Sequence, residues 1–174
     1  MKLIVWLWNP WEKYLKTKHN IWFLFLEYLL DKENLPNFKL ESKFKWEISS
    51  WLFKWEKIIL LKPQTFMNLS WESLIKIIKF YKINLKDIMI IYDDISIDLW
   101  KIRFRDKWSA WWHNWIKDII KYIDNEFNRI KIWIWFNENY EVSDWVLSKF
   151  SNEELNEFDN DIFPKVYDLL NEKL

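Results

Sequence analysis

The 174-residue sequence predicts an α/β fold: one domain on a twisted, mixed but mostly parallel sheet with helices on both faces. Three observations carry that expectation. The runs "KLIVWLW" at 2–8, "DIMIIYDD" at 87–94 and "RIKIWIWF" at 129–136 are short and largely apolar, as strands covered on both sides must be. Between them lie segments whose apolar residues recur at helical spacing, one stripe per helix. Strands of the first kind alternating with helices of the second are the pattern of a covered α/β sheet, and no composition break or linker divides residues 1–174.

Taken in order, the strand at 2–8 is stopped by the turn pair Asn9-Pro10. Residues 19–33 form a helix with Ile21, Leu24, Phe25 and Tyr28 on one face. Residues 38–63 read as strands joined by a hairpin whose turn falls at "KWEK", where Lys-Gly would suit far better than Lys54-Trp55. Leu74, Ile77, Ile78 and Tyr81 mark a helix over 68–82, followed by the strand that runs into Asp93-Asp94. "KIRFR" at 101–105 alternates as a strand with one charged face. Ile116, Ile119, Ile120 and Ile123 mark the next helix, and Trp133 and Trp135 share a face of the strand after it. A final helix starts at Ser151, whose spacing to Glu154 makes a capping box, and turns Leu155, Phe158, Ile162, Val166 and Leu169 inward.

Charge is balanced overall, 26 basic against 26 acidic residues, but residues 1–136 hold 23 Lys and Arg against 16 Asp and Glu, and residues 137–174 hold 3 against 10. A basic body of that kind suits a polyanionic partner, although a basic face is more often solvated lysine. Without cysteine there are no disulfides, thiolate metal sites or thiol nucleophiles. "MKLIVW" is too short and too soon interrupted to be a signal peptide, and no run is long enough to span a membrane, so a soluble cytoplasmic protein is expected.

One count does not fit. The chain has 16 Trp and no Gly, where average usage predicts roughly 12 glycines. The tryptophans stand in glycine contexts: after Asn9-Pro10, in the "KWEK" turn, after "NLS", after "IDL", and around "HN" at 111, 112 and 115. A backbone with φ > 0, or one that approaches a ligand closely, needs Gly in such places, and an indole clashes there. The sequence therefore reads as a translation in which UGA codons, glycine in the source, were written as tryptophan. Trp145 is the exception, since "SDWVLSKF" looks like an extended apolar segment that suits a large aromatic ring. That leaves fifteen of the sixteen as glycine. The plainer alternative is a chain that uses its indoles to stack on sugars or bases.

With glycine written at those positions, "VWLWNPWEKYLKTKHNIW", "LLKPQTFMNLSWES", "IYDD" and "WSAWWHNWIKDII" resemble the signature segments of bacterial-type peptidyl-tRNA hydrolases, in order and spacing, from residue 2 to about residue 150. The resemblance implies a monomeric α/β enzyme without metal or other cofactor. Such an enzyme cuts the ester between a peptide and the 3′ end of tRNA, and its partner is the acceptor stem and terminus of peptidyl-tRNA. Lys18 departs from the arginine that often precedes the family's histidine.

The residues can be read beside that resemblance. Hydrolysis of an ester by water needs a base active near neutral pH and donors for the developing oxyanion. His19, in "TKHN", is the natural base, although a lone histidine before a helix is on general grounds more often structural. Asp93 would orient its imidazole; on its own the pair Asp93-Asp94 could equally be a solvated strand end or a Mg²⁺ site. Asn9, Asn68 and Asn114 each offer a donor and an acceptor, and singly each would be read as a turn residue. By the resemblance they hold the peptide carbonyls and the terminal nucleotide, with Asn9 in the catalytic set, separating blocked from free aminoacyl groups. Tyr14 and Phe66 would stack on the unpaired tRNA end, Met67 would wall the cleft, and Arg105 and Lys131 would grip phosphates. His113 is expected to fix its loop. The competing reading is a non-catalytic protein that binds RNA ends through Tyr14, Phe66 and the basic face.

Overall fold

The computed structural model describes residues 1–6, 12–42, 46–64, 70–94, 102–106, 114–134 and 139–174. Among the described residues seven strands form one sheet: β1 (Lys2–Trp6), β2 (Lys39–Glu41), β3 (Trp46–Phe53), β4 (Glu56–Pro63), β5 (Ile88–Asp94), β6 (Ile102–Arg105) and β7 (Asn128–Trp133), in the order β2-β3-β4-β1-β5-β7-β6. The centre is parallel, with β1 between β4 and β5 and β7 beyond β5. Both edges are antiparallel: β2, β3 and β4 follow one another along the chain, whereas β6 and β7 pair across an intervening helical segment. The predicted α/β fold with a mostly parallel, mixed sheet is the one observed.

Side-chain alternation along each central strand divides the core in two. Ile4 and Trp6 of β1, Met89 and Ile91 of β5, and Ile130 and Ile132 of β7 face α1 (Ile21–Lys32) and the C-terminal helices, where Phe25, Leu26, Phe163 and Val166 complete one apolar cluster. Leu3 and Val5, with Ile88, Ile90 and Tyr92, face the opposite way. They meet Leu74 and Ile77 of α2 (Ser70–Tyr81) and Ile116 and Ile119 of α3 (Asn114–Ile123). Both faces of β5 are therefore covered, which is why "IMIIY" is apolar at every position. Truncating one of these fully buried isoleucines to alanine is a loss of about 2–5 kcal/mol.

The C-terminal part departs from expectation in two ways. Trp145 lies not in an extended segment but in a short helix, α4 (Val142–Leu147), where it is buried. The helix expected from Ser151 begins with the predicted capping box, Ser151 Oγ accepting from the Glu154 N–H and Glu154 returning to the Ser151 N–H. It is then interrupted: α5 (Asn152–Glu157) passes through a π turn at Phe158–Ile162 into α6 (Phe163–Lys173). The wider turn advances the inward face by one position. Phe158, Ile162, Phe163, Val166 and Leu170 are buried, whereas Leu155 and Leu169 are only half-buried.

Left-handed backbone occurs at Asn34, Lys54, Trp55, Lys82 and Asp124. Asn34, Lys82 and Asp124 lie just beyond the ends of α1, α2 and α3, the usual place for a residue of that conformation. Lys54 and Trp55 are the two loop residues of the β3–β4 hairpin, closed by the Phe53–Glu56 pair. With φ of 47° and 69° they have the two positive values that a type I′ turn requires. The Trp55 ring gains nothing in return, being 97% exposed.

Candidate active site

The site forms where the parallel strands end. β5 carries Asp93 and Asp94 at its C-terminal end, beside the end of β1 and the start of α1, the position at which open α/β sheets bind ligands. A short 3₁₀ turn, Lys18–Asn20, leads into α1 and holds His19 inward. Its Nδ1 lies 2.8 Å from Oδ2 of Asp93, and both residues are buried. A carboxylate only accepts, so the geometry puts a proton on Nδ1 and assigns the basic lone pair to Nε2. The other Asp93 oxygen, Oδ1, is buried and accepts no hydrogen bond among the described residues.

Asp93 and Asp94 diverge, as successive strand residues must. Asp94 turns to the opposite face and takes the ammonium of Lys131 from β7 at 2.6 Å, both side chains about nine-tenths buried. The pair is therefore not a solvated strand end. Lys131, expected to grip tRNA phosphate, is ion-paired with Asp94 inside the fold. Next to it, burial pushes the Tyr92 phenol well above its ordinary range, with the adjacent Arg129 guanidinium opposing that rise.

The remaining predicted residues are more dispersed. Asn114 is the exposed first residue of α3, and its neighbour Trp115 stacks on His19 with ring centroids 3.7 Å apart. The start of α3 therefore closes over the base. Tyr14 is half-buried, with the Lys13 ammonium 4.7 Å above its ring, and its carbonyl accepts from Thr17 two residues before His19. Arg105 is on edge strand β6, far along the sheet order, with Nη1 donating to the Phe104 carbonyl. It lies opposite Arg129 in the ladder, and Arg103 lies opposite Lys131, so four cationic residues occupy adjoining positions on one face of the β6–β7 pair. Asn9, Phe66, Met67, Asn68 and His113 fall outside the described residues. Among the described residues no three His, Cys, Asp or Glu side chains converge to hold a metal ion, and no described helix is long and apolar enough to cross a membrane.

Sequence reasoning missed two features. One is the Asp94–Lys131 pair, whose partners are 37 residues apart and joined only by the β5–β7 ladder. The other is the burial of Lys18, whose ammonium lies under the Trp145 and Phe150 rings.

Comparison with known proteins agrees with this geometry. The family model described as peptidyl-tRNA hydrolase matches residues 3–174. A peptidyl-tRNA hydrolase of Fusobacterium nucleatum is 42% identical over 175 residues, covering 100% of this chain and 90% of that protein. The crystal structure of a peptidyl-tRNA hydrolase in complex with N-propanol superposes with a TM-score of 0.85 at 32% identity, over 99% of this chain and 89% of that one. The peptidyl-tRNA hydrolase of Acinetobacter baumannii gives 0.84 at 32% identity, over 96% and 87%. With a His–Asp pair at the carboxyl end of its central parallel strands and a family match along nearly its whole length, the chain belongs to the peptidyl-tRNA hydrolase family.

Proposed function

We propose that this peptidyl-tRNA hydrolase cuts the ester between a peptide and the tRNA 3′ end with a water activated by Nε2 of His19. The observation that carries the proposal is the 2.8 Å contact between His19 Nδ1 and Asp93 Oδ2. Asp93 fixes the tautomer and compensates the positive charge that the imidazole acquires as it takes the water's proton. The proton then passes to the leaving 3′ oxygen, so that free tRNA and free peptide result. Asn9 reads the blocked amino group, Asn68 and Asn114 hold the peptide carbonyls and terminal nucleotide, and Tyr14 and Phe66 stack on the tRNA end with Met67 beside them. Phosphate affinity is assigned to Arg105 and Lys131, with Arg103 opposite Lys131 in the ladder. The protein acts as a monomer on the acceptor stem. His19→Ala tests this: cleavage of an N-blocked aminoacyl-tRNA should fall about 10²–10⁴-fold. Cleavage at the unaltered rate would instead leave an RNA-end-binding role for the fold.

We further propose that fifteen of the sixteen tryptophans are glycine in the protein as its source makes it, through UGA read as glycine. Several features support the reading. Trp55 adopts φ 69° in a turn that calls for glycine. Trp115 covers the base. The indole N–H groups of Trp6, Trp22 and Trp51 are buried without an acceptor among the described residues, and each such orphan is a loss of about 1–3 kcal/mol. The nucleotide sequence tests it: UGA at the fifteen positions with UGG at 145 is expected, and UGG throughout would end the idea.

A further inference from the structure

The residue preceding His19 is held as firmly as the base itself. Lys18 is 3% exposed. Its ammonium donates to the Lys149 carbonyl at 3.1 Å and lies 3.5 Å from the Glu154 carboxylate. The rings of Trp145 and Phe150 stand 4.5 and 5.0 Å away. The backbone is tied to the same segment. The Lys18 N–H donates to the Ser148 carbonyl at 2.9 Å, the Phe150 N–H donates to Lys16 at 3.0 Å, and Thr17 and Lys149 form an isolated antiparallel bridge. Residues 16–18, which enter the 3₁₀ turn bearing His19, are thus fastened to residues 148–150 from tip to backbone.

A buried ammonium is costly unless its donors are met, and aromatic faces around it recover part of that cost. An apolar side chain of the same length would fill this space without any such requirement. What the ammonium adds is a single allowed position for its tip, and through it for the turn that follows. We propose that Lys18 is a positioning residue for His19: the segment 145–154 grips its ammonium and so holds the imidazole in register with Asp93. The same contacts separate Trp145 from the other tryptophans, since glycine there would remove one wall of the cage. The inference rests on His19 being the base.

The test uses the chain with glycine at the fifteen other tryptophan positions, measuring kcat and KM on an N-blocked aminoacyl-tRNA and the low-field NMR signal of the His19 Nδ1 proton. Misplacement of a catalytic group by about 1 Å lowers rate about 10²-fold. Lys18→Met and Trp145→Gly should therefore lower kcat by up to about that factor with KM little changed, and shift or broaden the low-field signal. Lys18→Arg and Trp145→Phe, which keep a cation and a ring, should recover kcat. Should Lys18→Met fail to fold, Trp145→Leu replaces it, keeping an apolar wall without a π face and still lowering kcat. Wild-type kcat and an unchanged proton signal in Lys18→Met or Trp145→Leu would overturn the clamp. Undiminished cleavage by His19→Ala in the same series would instead overturn the assignment of the base.

Discussion

Trp115 sets its indole against the imidazole of His19, the ring centroids 3.7 Å apart and the planes inclined by 33°. A base whose Nε2 must receive a water cannot work well beneath so large a cover. Trp115→Gly should therefore raise kcat/KM on peptidyl-tRNA by at least about tenfold, equivalent to about 1.4 kcal/mol of obstruction removed. Steady-state kinetics of the two proteins check this, and equal values would mean that the indole does not obstruct the water.

Asp93→Asn should be far more damaging than its small change in shape suggests. The amide can donate to Nδ1 and so favours the tautomer with its proton on Nε2, where a lone pair is needed. The same change beside the histidine of a serine protease lowers kcat about 10⁴-fold. A loss approaching that size, with thermal stability nearly kept, is expected in single-turnover cleavage.

Trp55→Gly tests the turn independently of activity. A non-glycine residue in left-handed backbone is a penalty of about 1–2 kcal/mol, and the exposed Trp55 ring recovers none of it. Relief of about 1 kcal/mol would raise Tm by about 2–4 °C in a chain of this size. Differential scanning calorimetry reads it, and a lowered Tm would contradict the glycine reading at this position.

Lys131→Met should destabilise the fold by about 3–5 kcal/mol, because it breaks a buried ion pair by removing the ammonium that faces the Asp94 carboxylate. The double variant Lys131→Met with Asp94→Leu should recover most of that loss in urea denaturation. It also decides what Lys131 does for substrate. If the lysine serves Asp94 alone, the double variant keeps the salt dependence of KM, whereas a lysine that gripped phosphate would reduce that slope.

The alkaline limb of stability has a specific origin. Burial raises the Tyr92 phenol above its ordinary value of 10.0, so the folded chain keeps a proton that the unfolded chain releases. The folded pKa being the higher, this contribution is complete below about pH 10 and is lost as pH rises beyond it. Tyr92→Phe should flatten the fall in urea-measured stability over that range; an unchanged slope would contradict the assignment.

The parts of the fold legible in the sequence were those with a long or unambiguous period. β5 announces itself by an apolar run ending in two aspartates, and α3 by four isoleucines on one stripe. The Ser151–Glu154 cap needed only two residues at the right spacing. α4 was not legible because six residues complete fewer than two turns, too few to show a helical period around Trp145. The π turn at Phe158–Ile162 left no mark either, since Phe158, Ile162 and Val166 fit an unbroken helix equally well. His19 and Asp93 were found through motif context, being 74 residues apart with nothing local to join them. The Asp94–Lys131 pair and the Lys18 cage had no such context and depend on which strands and segments become neighbours.

The most direct test of the account is single-turnover cleavage of an N-blocked aminoacyl-tRNA by the chain carrying glycine at the fifteen tryptophan positions, beside its His19→Ala variant. The account predicts rapid release of free tRNA by the first protein and a rate lower by about 10²–10⁴-fold for the second. Equal rates in the two would contradict it.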